Sequence, residues 1–125
     1  MKLEQQVCSL DLAKRLKELG VKQEGYFVWA KPAELSQPGY TDDYHLIISS
    51  TYDYIDSVSA FTVAELGEML PAFIGDWVLD QIRMTTMEFG LVYRDNHKYL
   101  YNVSADTEAD ARAKMLIYLT ESHII

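Results

Sequence analysis

The residues best equipped for chemistry lie in the segment Thr41-Asp42-Asp43-Tyr44-His45. Asp42, Asp43 and His45 could together hold a hard divalent cation, because carboxylates and imidazole are usual ligands for such ions. Asp53 and Asp56 follow a few residues later and could add oxygens. The spacing is not that of a calcium loop, where acids alternate with other residues up to a glycine. Two adjacent aspartates in a loop more simply face water. The imidazoles are His45, His97 and His123. Each is a general base in principle, but no serine or cysteine beside them stands in a recognisable nucleophile setting. Cys8 comes just before a helix start, where a thiol can lose its proton more readily. Its simpler role is that of a small half-buried residue that seats the helix. Tyr26, Phe27, Trp29, Tyr99 and Tyr101 could stack nucleic-acid bases, yet few Lys or Arg flank them, and core packing is the simpler use.

Several common chemistries are missing from the pattern. Gly20, Gly25, Gly39, Gly67, Gly75 and Gly90 are too far apart for a phosphate-binding loop. There is no G-x-S-x-G, no H-E-x-x-H and no C-x-x-C. No cofactor is implied, no catalytic residue can be assigned, and the chain reads as non-enzymatic.

The elements that must position these residues are marked by caps and periodicity. Ser9 as N-cap, an apolar stripe of Leu12, Ala13, Leu16 and Leu19, and Gly20 as a left-handed stop predict a helix over 9–19. Asp11 and Arg15 are spaced for an ion pair on its surface. Lys14, Arg15 and Lys17 form its basic outer face. Residues 25–30 predict a strand that Pro32 ends, and Pro32 to Asp43 predicts a loop. A strand over His45–Ser50 follows, then a polar, turn-like stretch from Asp53 to Ser59. Thr62 and Glu65 make a capping box, with Phe61 and Leu66 as its hydrophobic staple, so a helix begins there and Pro71 stops it. Ala72 to Asp80 is apolar but broken by Gly75. Gln81 to Met87 predicts a strand ending at Gly90. Phe89–Arg94 and Lys98–Ser104 predict a hairpin around Asp95-Asn96-His97. In its second strand, Tyr99, Tyr101 and Val103 would share one face. Thr107-x-x-Asp110 opens the last helix, with Ala109, Ala113, Leu116 and Ile117 as inner stripe and two further spaced ion pairs, Glu108–Arg112 and Asp110–Lys114. Strands in pairs between helices predict an α+β fold: one antiparallel sheet of three to five strands, with about three helices mainly on one face, as a single compact domain over residues 1–125.

The formal net charge is −8 over 125 residues, and its distribution is uneven. From Pro32 to Ile82 there are nine acids and no Lys or Arg. That argues against direct nucleic-acid binding, which needs clustered bases, and against an anionic membrane surface. It leaves a basic partner, a cation or plain solubility. One cysteine cannot form an internal disulfide, and the first residues carry no apolar run after Lys2, so no secretory signal is expected.

Gln6-Val7-Cys8-Ser9-Leu10 leading into Ala13–Glu24, Phe61-Thr62-Val63-Ala64-Glu65-Leu66-Gly67-Glu68-Met69-Leu70-Pro71 and Thr107–Leu119 together resemble a family of small uncharacterised proteins from bacteriophages and bacterial prophages. All fall on expected helices, and no pattern of the family is found between Pro71 and Asp106. The resemblance implies a phage-related protein in the cytoplasm of a bacterial host and carries no activity. The expectation is a protein-interaction module that contacts an unidentified, basic protein through Asp42, Asp43, Asp53, Asp56, Asp76 and Asp80. Two alternatives stand beside it. One is a metal site or small enzyme at Asp42, Asp43 and His45; the other is an acidic mimic of nucleic acid that occupies a DNA-binding protein. A homodimer through a sheet edge or aromatic face is also open.

Overall fold

A computed structural model describes residues 2–32, 43–49, 54–85, 88–96 and 98–125. Among the described residues three α-helices and seven strands follow one another along the chain. They are α1 (Leu10–Glu18), β1 (Phe27–Pro32), β2 (His45–Ile48), β3 (Tyr54–Ser59), α2 (Val63–Met69), β4 (Phe73–Ile74), β5 (Trp77–Thr85), β6 (Glu88–Arg94), β7 (Tyr99–Ala105) and α3 (Glu108–Glu121). The fold is α+β, but the strands form two antiparallel sheets where one was expected. The first has the order β2-β1-β3 and the second β4-β5-β6-β7.

The helix boundaries follow the local signals closely. Thr62 Oγ1 accepts from Glu65 N–H at 3.2 Å, and the Glu65 carboxylate accepts from Thr62 N–H at 2.9 Å, which completes the capping box. Phe61 and Leu66, the staple pair, are both fully buried. Gly20 has φ of +89°, the left-handed conformation that ends α1. At α1 the cap differs from expectation. Ser9 occupies the N-cap position without a side-chain capping bond, and its N–H donates to Asp110 Oδ1 at 2.7 Å. Asp110 thus ties the start of α1 to the first turn of α3. Thr107 Oγ1 accepts from Asp110 N–H at 3.1 Å, so Thr107 caps the start of α3 as its spacing to Asp110 predicts. Arg15 turns to Glu18 and Glu121 instead of Asp11, and Lys114 reaches the Ser104 carbonyl instead of Asp110. Glu108–Arg112 forms as spaced, at 3.1 Å.

The polar stretch from Tyr54 to Ser59 is strand β3, not a turn. Its serines are accommodated by long-range partners: Ser59 Oγ accepts from Gly25 N–H, and Ser59 N–H donates to Gln23 Oε1. Pairing with β1 sets Asp56 opposite Lys31 and Val58 opposite Trp29. Asp53 lies outside the described residues. The region around Gly75, left without an element in the sequence pattern, is a hairpin. Gly75 and Asp76 form a two-residue connection with Gly75 at φ +59°, and β5 starts at Trp77, well before the strand expected from Gln81. In β7 an extra residue at Tyr101, φ +54°, shifts the register against β6. This bulge breaks the two-residue alternation, so Leu100 joins Tyr101 and Val103 against the core while Tyr99 is exposed.

One apolar cluster takes residues from all three helices and both sheets, among them Leu16, Val58, Phe61, Leu66, Leu91, Tyr93, Met115 and Leu119. Full burial of each large aliphatic or aromatic side chain contributes roughly 1.5–3 kcal/mol. α3 is the central element: it packs on β6, β7, α1 and α2. Its buried set of Ala109, Ala111, Ala113, Met115, Leu116 and Leu119 is therefore wider than a single stripe. Ile117, expected within, is only partly buried. Small side chains let α2 and α3 approach. At Gly67 an added Cβ would collide with the Arg112 guanidinium, which donates to the Val63 carbonyl and pairs with Glu108.

Candidate partner-binding surface

The base-free span contributes acids to several elements, and the structure gives each a different setting. Asp43 is exposed just before β2, and Asp76 is exposed in the β4–β5 turn. Asp56 is exposed on β3, where it accepts a hydrogen bond from the Tyr44 hydroxyl. That bond, with Lys17 and Lys31 nearby, holds the Asp56 carboxyl below its usual range. Lys14 and Lys31 lie over the Tyr44 ring, 4.7 and 5.2 Å from its centroid. Asp80, on β5, pairs with Arg94 on the neighbouring strand, and this hydrogen bond depresses its carboxyl too. Asp56 and Asp80 thus belong to different sheets, and each has a cation brought to it by a part of the chain outside the base-free span. Asp42 and Asp53 lie outside the described residues.

A second setting, which the linear pattern did not single out, forms around α2. The turn after α1 and the faces of α2 and α3 enclose an open groove of about 540 Å³. Its floor is apolar: Val21, Phe61, Met69 and Leu116. Its rim carries Glu24, Glu65 and Glu68 against a single base, Lys22. Lys22 pairs with Glu24 at 3.0 Å. Both carboxylate oxygens of Glu65 are in use, one on Thr62 N–H and the other on Tyr26 N–H at 3.1 Å. Those bonds fix the orientation of the carboxylate. The capping motif that starts α2 was legible as a structural device, but nothing in the local pattern shows that residues 21–24 come to face it.

The other candidates are distributed as follows. Cys8 is fully buried, and burial pushes its thiol up to about 12, the opposite of an activated nucleophile. Its backbone is a junction: its N–H donates to the Phe61 carbonyl, and its carbonyl accepts from Trp29 Nε1 at 2.9 Å. His45 is exposed at the start of β2, His123 is exposed beyond α3 with φ of +57°, and His97 lies outside the described residues. Asp43 and His45 of the candidate cation site are described, but Asp42 is not. Among the described residues no group of three or more His, Cys, Asp or Glu could hold a metal ion. The five aromatic residues do not share one face. Trp29 and Tyr101 pack against the core, Tyr101 with its ring 5.2 Å from Tyr118. Tyr26 and Tyr99 are exposed and belong to different parts of the fold, Tyr26 leading into β1 and Tyr99 opening β7 in the other sheet.

Among the described residues no helix is long and apolar enough to cross a membrane. No protein-family model, curated protein or solved structure matches the chain.

Proposed function

We propose that this chain is a non-enzymatic accessory protein of phage or prophage origin that works in the bacterial cytoplasm by binding another, basic protein. The observation that carries the reading is the charge distribution. Nine acids without a base occupy one continuous stretch, and Asp43, Asp56, Glu68 and Asp76 of that stretch are exposed. The resulting net charge of −8 raises the encounter rate with a positively charged partner and repels phosphate backbones. The phage context rests on the resemblance of the three helical segments, and these become α1, α2 and α3, where α3 packs on the other two.

Affinity capture from bacterial lysate tests the reading. The tagged chain retains a basic protein at low salt and releases it as salt rises, because exposed charge pairs are screened. Retention of no protein at either salt removes the reading. Competition by duplex DNA for the captured protein would mark the contact as one that occupies a nucleic-acid site.

A further inference from the structure

We propose that the groove between the α1–β1 turn and α2 is the docking site for that partner, and that its occupant is a protein segment with large apolar side chains flanked by Lys or Arg. The inference rests on the protein-binding reading and names its site. Volume, floor and rim each limit what fits. A space of about 540 Å³ falls within the range of ordinary ligand pockets and accepts a few large side chains. Phe61 and Leu116, nearly or fully buried, give it a firm base, and Met69 adds an unbranched, adaptable wall. An apolar anchor is therefore favoured at the centre. The rim chooses the flanks. Three glutamates against one lysine leave the edge negative, and that lysine is held by Glu24. A wholly apolar segment would strip water from these carboxylates without replacing it, and an acidic one would be repelled. Lys or Arg beside the anchor satisfies both requirements. Glu68 is the exposed acid best placed to choose the flank, while Glu65 is already oriented by two backbone N–H groups.

The test is an NMR titration of the isotope-labelled full chain with a synthetic peptide carrying a Leu-Leu core between pairs of lysines. Control peptides replace the leucines by serine or the lysines by glutamate. The expected result is a set of shifts centred on Val21, Phe61, Met69 and Leu116, with binding at least about tenfold tighter than for either control. Glu68→Lys, an exposed substitution, weakens binding by about tenfold and leaves the spectrum of the free chain folded. Shifts centred on Asp43, Asp56, Asp76 and Asp80, equal binding of the glutamate peptide, or no binding would each overturn the groove assignment. Line broadening at the groove that grows with protein concentration, without peptide, would also overturn it in favour of a second copy of the chain. Lysate capture separates the two levels. A partner held equally by wild type and Glu68→Lys sinks the groove but not the protein-binding reading, whereas an empty wild-type capture sinks the reading itself.

Discussion

Cys8 shows how a single side chain can change meaning once its surroundings are known. A thiol at a helix start has a sequence context that suits reactivity, but the side chain is fully buried, and its backbone is bonded to the Phe61 carbonyl and the Trp29 indole. Low-dielectric surroundings disfavour the thiolate, so the folded pKa rises from 9.0 to about 12. The buried group stays protonated when an exposed thiol would ionise, so its contribution to stability is fully present below the unfolded pKa and is lost as pH rises through the folded one. Native protein should resist alkylation by iodoacetamide at about pH 9, and denatured protein should react promptly. Rapid modification of the native chain, followed by mass spectrometry, would show that Cys8 is accessible after all. Glu65 shows the same dependence on surroundings in reverse. Its capping role was readable three residues from Thr62, but its second partner, Tyr26 N–H, comes from a distant turn.

At the scale of elements, helices were easier to read than strands. A helix cap is completed within four residues, so Thr62–Glu65 and Gly20 carry their own evidence. A strand requires a partner, and for β3 the partner is β1, more than twenty residues away. Asp56, Ser57 and Ser59 have turn propensity by themselves, and only pairing and the bonds to Gly25 and Gln23 make them extended. The β4–β5 hairpin was a different kind of omission. Gly75-Asp76 is a recognisable two-residue turn signal between apolar pairs, and reading Gly75 as a mere interruption hid it. Because α2 has only seven residues, its cap matters to its stability. Thr62→Ala is expected to destabilise the fold by about 1 kcal/mol. Glu65→Ala should cost more, since it removes an acceptor from both Thr62 and Tyr26. Urea denaturation of the two variants checks the order, and equal midpoints with wild type would mean that neither bond is formed.

At the scale of the whole molecule, the two sheets share a core. Trp29 lies in the first sheet and Trp77 in the second, and both pack against the same cluster. The helices provide the connection: α3 packs on β6, β7, α1 and α2, and α1 packs on β3 of the first sheet. Trp29→Phe and Trp77→Phe leave one indole reporter in each sheet. With either reporter, fluorescence and far-ultraviolet circular dichroism should give one coincident urea transition. Separate midpoints for the two reporters would mean that the sheets unfold as independent units.

The charge pattern has its consequence at this scale too. A base-free run of fifty-one positions looks like one acidic surface when laid out linearly. In the folded chain Lys14, Lys17 and Lys31 gather around Tyr44 and Asp56, Arg94 meets Asp80, and the groove rim draws Glu24 from outside the run. What the sequence by itself determined are the features that close over a few residues: the helix boundaries, the β6–β7 hairpin, the α+β class and the net charge. Tertiary structure alone decided the division into two sheets, the strand made from Tyr54–Ser59, the face reversal at Tyr101, the Asp110 bond to Ser9 and the company each acid keeps. The physical reason is range. Capping bonds and apolar periodicity are satisfied by near neighbours, whereas strand pairing, burial and charge neutralisation depend on segments that the fold brings together from afar.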